Sequence, residues 1–315
     1  MQKKQVLVPV LILIGVVVVL FVVSLLFRKR EISTRDVFQK QIVTNLKDGY
    51  SVKDTIFESL DNKNQQVVAI FHWEAKDGMW QQDSLVVYEL KGENLAELFD
   101  TTEWVLELGN DLSGDSFRVE DINKDGLKEF VVSRSQGGNC WICASLLVFQ
   151  VKDHKARQFL SNLPWAQAIY EIRDLNGDGI KELIVIDSEW EDKSGLCHTC
   201  SPKIDIIYTW KKDDYKEASI EFPFYYDNKI KELETEIQKR IRERDFLDHY
   251  IGSSMAVFFD YLQKGQKEKG WEVFSNYMSQ ENIEKNFVMN EFNKYYRDFA
   301  KQVVKDFYKR YIKQP

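Results

Sequence analysis

A basic field is missing from this 315-residue chain: 43 Lys and Arg stand against 50 Asp and Glu, a net charge of −7. Nucleic-acid affinity rests on clustered cations that neutralise phosphates, so no nucleic-acid partner is expected. Histidine is scarce as well. His72, His154, His198 and His249 are the full set, and no Cys/His or Ser/His/Asp arrangement stands out around them. A Walker loop, a dinucleotide fingerprint and an HExxH helix are also absent. What remains must be read from apolar patterning, oxygen-bearing turns and four cysteines.

With 44% hydrophobic and 13% aromatic residues the chain can bury a sizeable core, and its length suits two folded domains of ordinary size. Val6 to Phe27 is uncharged and almost wholly apolar, interrupted by Pro9, Gly15 and Ser24. At about 1.5 Å per residue such a helix spans a hydrocarbon layer of roughly 30 Å. Arg28, Lys29 and Arg30 follow it where a cleaved signal peptide would carry a small-residue cleavage site, so residues 1–30 are expected to be a permanent single-pass transmembrane anchor. The positive charges flanking it favour a cytoplasmic body, but calcium loops of extracellular type, with dissociation constants around 0.1 to 1 mM, would stand empty there. The expected location is therefore the cell membrane, with the bulk of the chain extracytoplasmic.

From residue 31 to 226 the pattern repeats. "VVAIFHW" pairs with "SLVVYEL", "EFVVS" with "SLLVFQV", and "ELIVID" with "KIDIIYTW". Short β-rich runs at regular spacing, divided by Gly, Asn and Asp, predict a mainly β repeat domain of three tandem four-stranded antiparallel units arranged like propeller blades. The period changes from two to about 3.6 after Asp227, where Ile230, Leu233, Ile237 and Ile241 form an apolar stripe, and residues 227–315 are read as an α-helical domain.

Two turns of the β region carry oxygen ligands at matched spacing. In "DLNGDGIKELIVID" the side chains of Asp174, Asn176, Asp178 and Glu182 fall at positions 1, 3, 5 and 9, with the Ile180 carbonyl at position 7 and Gly179 at the bend. "DINKDGLKEFVVS" repeats this with Asp121, Asn123, Asp125, the Leu127 carbonyl, Glu129 and Gly126. A hard cation that takes six to eight oxygens suits such alternation, so one calcium ion is expected at each loop. Position 12, where an EF-hand has a bidentate Glu, holds Val132 and Val185, and a strand follows instead of a helix. The combination resembles the calcium loop of FG-GAP and VCBS repeats, as in integrin α-subunit propellers, although Glu129 and Glu182 stand where Asp is common. The resemblance covers two clear copies and a decayed third, roughly Asp54 to Pro223. That third turn offers Asp61, Asn62 and Asn64 but no Asp-Gly and no acid before its strand, and no ion is expected there.

Cys140 and Cys143 in "NCWIC" and Cys197 and Cys200 in "LCHTC" lie in equivalent loops of adjacent units. A four-thiolate zinc site, disulfides and reactive thiols all fit these spacings. The first two would act as a cross-link between the second and third units. A calcium-stabilised scaffolding protein follows as the expectation, meeting a protein partner through the β repeats or the helical tail, with Tyr225, Tyr226, Trp271, Tyr295 and Tyr296 as candidate contacts. The alternative is an enzyme or thiol-disulfide factor that uses the CxxC pairs.

Overall fold

The computed structural model describes residues 33–103, 105–109, 118–138, 140–191, 196–243, 246–287 and 291–312. A short helix, α1 (Thr34–Gln41), precedes four strands, β1 (Tyr50–Glu58), β2 (Gln66–Glu74), β3 (Gln81–Lys91) and β4 (Asn94–Glu103), which form an antiparallel meander. A larger sheet follows, built from β5 (Val105–Leu108), β6 (Val119–Glu120), β7 (Glu129–Ser135), β8 (Ala144–Lys152), β9 (Lys155–Gln158), β10 (Gln167–Arg173), β11 (Glu182–Asp187), β12 (Ile204–Lys211) and β13 (Asp214–Glu217). Its order is β13-β12-β11-β10-β8-β7-β5, with β6 added on β7 and β9 on β8.

The apolar runs become strands buried on both faces, because alternate residues enter different cores. Val68 and Ile70 of β2 meet Phe130, Val132 and Phe149 of the second unit, while Val67, Ala69 and Phe71 pack under Phe38 of α1. One strand on, Val131 and Val148 point the other way and meet Ile169, Leu183 and Val185 of the third unit. The units therefore stack face to face as layers.

Two open sheets replace the three separate blades expected from the repeat. The cause is the short β9, which pairs with Phe149–Lys152 and leaves the Leu146 end of β8 open; Ile169 of β10 pairs there and fuses the second and third units into one sheet. Among the described residues the sheets do not close into a propeller. The expected membrane helix is also corrected. Val6 to Phe27 lies outside the described residues, and among those described no helix is long and apolar enough to cross a membrane. The single-pass placement at the cell membrane, with the body on its outer side, is dropped accordingly.

The helical region opens at Pro223, slightly before the expected change at Asp227. Among the described residues its α-helices are α2 (Pro223–Glu243), α3 (Leu247–Gln263), α4 (Lys267–Tyr277), α5 (Gln280–Asn286) and α6 (Glu291–Phe307). Proline at the first helical position loses no hydrogen bond that a helix would otherwise make. Ile230 and Ile237 are buried, and Leu233 and Ile241 pack against the same core, as the stripe predicts. At the centre lies α3, buried along Tyr250, Ile251, Met255, Val257, Phe258 and Phe259. Gly252 on this helix is pressed against the third unit so closely that a Cβ would stand 1.6 Å from the Cys200 carbonyl oxygen.

Candidate functional site

The two oxygen-rich loops connect β6 to β7 and β10 to β11, and they share a set of four equivalent hydrogen bonds. The position-1 aspartate accepts from the position-6 glycine: Gly126 N–H donates to Asp121 Oδ2 at 3.1 Å and Gly179 N–H to Asp174 Oδ2 at 2.8 Å. Asn123 and Asn176 accept from the amides of Asp125 and Asp178 at 2.9 and 3.0 Å. Asp125 and Asp178 accept from Leu127 and Ile180 at 2.9 and 2.7 Å. Glu129 and Glu182 reach back to accept from Ile122 and Leu175 at 3.0 and 2.9 Å. Gly126 and Gly179 have φ of 86° and 81°, the left-handed conformation that glycine adopts without penalty.

These bonds use one oxygen of each acid and leave the others with different fates. Asp121 Oδ1 is buried with no hydrogen-bond partner. Glu129 is fully buried at the head of β7, and its other oxygen accepts only from the neutral amides of Asn123, at 3.2 Å, and Gln150, at 2.6 Å. Burial pushes the Glu129 carboxyl up to about 8, and the charges of Asp125 and Asp121 push the same way against the Ile122 and Gln150 donors. Burial raises Glu182 too, while the Leu175 N–H and the Thr209 hydroxyl oppose the shift. At Asp174 burial acts upward, but the N–H groups of Gly177 and Gly179 prevail and hold it below the usual carboxylate range.

The donor chemistry of the loops fits a hard cation: each offers only oxygens, and the Asp121–Glu129 loop has an orphaned buried oxygen beside an acid that burial alone would keep neutral. Asp121, Asn123, Asp125, Glu129 and the Leu127 carbonyl would hold one ion, and Asp174, Asn176, Asp178, Glu182 and the Ile180 carbonyl another. The acids have not drawn together, however. Among the described residues, the trio whose ligand atoms lie within 4.8 Å of one another is Cys197, Cys200 and His249, not a set of loop carboxylates.

A contact missed by sequence reasoning joins the units at these loops. Lys128 N–H donates to the Leu60 carbonyl at 2.9 Å and its Nζ to Glu58 at 2.7 Å. One unit later, Lys181 N–H donates to the Ile122 carbonyl at 2.8 Å and its Nζ to Glu120 at 2.9 Å. The signal was visible as the Lys-Glu pair before each strand, Lys128-Glu129 and Lys181-Glu182. A further unit would need an acid at the place of Glu58 and Glu120, and the third unit has Arg173 there, paired with Glu171 at 3.1 Å.

The cysteines close on themselves. Cys140 bonds to Cys143 and Cys197 to Cys200, with Cα separations of 5.1 and 5.0 Å, so no sulfur bridge spans the two units. The pairs still touch. Trp141, inside one motif, stacks on His198, inside the other, with centroids 4.7 Å apart. Glu191 accepts from the Trp141 N–H at 3.2 Å and pairs with His198, and the Lys203 ammonium sits 3.6 Å over the Trp141 ring. The expected zinc or disulfide cross-link between the units is therefore not made, and an aromatic stack joins the two loops instead.

The aromatic contacts chosen from sequence divide. Tyr226 is fully buried, Tyr225 donates to Asp205 at 2.7 Å, and Trp271 packs against the helical core, whereas Tyr295 is exposed; the Tyr296 side chain lies outside what is described. The large apolar side chains most exposed on the β strands' connections include Met79 and Trp80, at the β2–β3 hairpin tip, and Trp165 between β9 and β10, at 75%, 66% and 78% exposure. No protein-family model matches the chain, and no curated protein matches it.

Proposed function

We propose that the chain is a non-catalytic binding protein related in design to FG-GAP repeats, whose second and third β units are ordered by calcium. Glu129 carries this reading. A fully buried acid with neutral partners, next to an orphaned Asp121 oxygen, is unfavourable as a carboxylate unless a cation joins it. Calcium would supply that charge, and Asp121, Asn123, Asp125 and Glu129 would orient around it. The partner is a protein, met through the Met79–Trp80 tip and Trp165, since exposed aromatics of this size serve as interface anchors.

Calorimetric titration of the chain with calcium tests the reading. Two equivalents are expected at millimolar concentrations or below, with Asp125→Ala and Asp178→Ala each removing one. No heat of binding at millimolar calcium would overturn it. For the partner, a photo-crosslinker at position 80 should give a defined protein adduct in calcium and a much weaker one in chelator.

A further inference from the structure

The seam between the third β unit and α3 holds a second set of ligands of a different kind. Cys197 is exposed and Cys200 is buried, and with His249 their ligand atoms lie within 4.8 Å of one another. The Cys200 sulfur also stands 3.2 Å from Asp248 Oδ2. Two sulfurs and an imidazole are a soft and borderline donor set, unlike the all-oxygen loops. We propose that Cys197, Cys200 and His249, with Asp248 beside them, bind zinc when the Cys197–Cys200 disulfide is reduced, and so clasp α3 to the third β unit.

Tetrahedral zinc with sulfur at about 2.3 Å sets its ligand atoms roughly 3.8 Å apart. The trio lies within 4.8 Å with its two sulfurs bonded to each other, and reduction lets the sulfurs separate to that spacing. The backbone needs no rearrangement of the helix, since Gly252 holds α3 directly on the Cys200 carbonyl. Cys140 and Cys143 stay out of the set. They lie across the Trp141–His198 stack and are not among the ligand atoms that meet the 4.8 Å distance. Chemically, a dithiol donor gives two electrons to the S–S bond and becomes a disulfide itself, and its two protons pass to the sulfurs of Cys197 and Cys200. Zinc then displaces both protons as the two Zn–S bonds form. Oxidation reverses the sequence and releases the ion, which makes the seam a redox-gated clasp.

The experiment uses the full chain, reduced with a phosphine that ends as the phosphine oxide with oxygen from water. Zinc binding is read by competition with a chromophoric chelator, and the ligand set by the spectrum of the cobalt-substituted protein. One equivalent is expected in the reduced chain and none in the oxidised chain, with thiolate-to-cobalt charge transfer of the strength of two sulfurs. Cys200→Ser should weaken binding at least about 100-fold and His249→Ala about 10- to 100-fold, while the Cys140→Ser/Cys143→Ser double variant binds as the parent does. Should a cysteine variant fail to fold, the cobalt spectrum of the unmutated chain still decides the number of sulfurs. The proposal is overturned if the reduced chain takes up no zinc, if the spectrum reports four thiolates, or if His249→Ala binds as tightly as the parent.

Discussion

The turn that enters β2 and the loops that enter β7 and β11 solve one folding problem with different chemistry. In the first unit Gln66 begins the strand, and its side-chain oxygen accepts the Leu60 N–H at 2.8 Å. Glu129 and Glu182 do the same for Ile122 and Leu175. Asp61 is fully occupied locally: it accepts from the amides of Lys63 and Asn64 at 3.0 and 2.8 Å and from the Asn64 side chain at 2.8 Å. Burial opposes its ionisation, yet the Asn64 and Lys63 donors outweigh burial and bring it to about 2. A neutral amide therefore suffices at the head of the strand. An acid placed there is a cost to the fold, and the two units that carry it are those with a full set of oxygen ligands.

Glu129→Gln should break this difference most visibly. Folding raises the pKa of Glu129 from 4.5 to about 8, so its contribution is fully present below about pH 4.5 and is lost as the pH rises through 8. Metal-free parent protein should lose on the order of 4 kcal/mol from this group across that window, and the Gln variant should have a correspondingly shallower slope. Chemical denaturation in chelator at pH 5, 7 and 9 measures it; equal slopes for parent and variant would refute the argument.

Calcium should produce the next effect. At a hundredfold excess over its dissociation constant, a site adds about 2.7 kcal/mol to stability. Asp125→Ala and Asp178→Ala should each remove about that amount in calcium and much less in chelator, and no change in the first unit's turn should mimic them. Binding at Glu129 near pH 7 should also release close to one proton, because the carboxyl is mostly protonated there without the ion. Titrations in buffers of different ionisation enthalpy count that proton.

Asp61→Asn sharpens the contrast from the opposite side. Its folded pKa is depressed, so its stabilisation is present above about pH 4 and disappears as the pH falls toward 2. The variant should blunt acid unfolding and leave calcium binding untouched. Smallest of all should be the lysine contacts between units. Lys181→Met is expected to cost about 1 kcal/mol, because its ammonium is largely buried, and Lys128→Met less, because both members of its pair are half exposed.

Much of this was legible in the chain. The ligand spacing, the glycine at each bend and the apolar strands all follow from local chemistry, and the turn around Asp61 was separable from the other two by its missing Asp-Gly and acid. The rest depends on which segments meet. Nothing in the spacing of Cys197 and Cys200 foretells that Asp248 and His249 arrive beside them, because a helix brings these in from far along the chain. Equivalent positions suggested that the cysteine pairs would bond to each other, but a CxxC turn already brings its two sulfurs together, and the partner loop contributes Trp141 instead. Tyr225 and Tyr226 looked like surface aromatics, since composition cannot say which side of a helix start faces Asp205. The width of β9 was equally hidden, and it decided whether there were two sheets or three.

The lysine contacts between successive units bear on how the chain folds. Each links a strand head only to the turn of the unit before it, and each unit's own strands are mostly joined by short hairpins. These contacts span 70 and 61 residues but join only neighbouring units, which makes each unit a template for the next, so a nucleus formed in any one of them can propagate in either direction. Growth past the third unit meets Arg173 where the next lysine would need an acid. The stacking reaction thus carries its own termination step, encoded in the sign of one side chain.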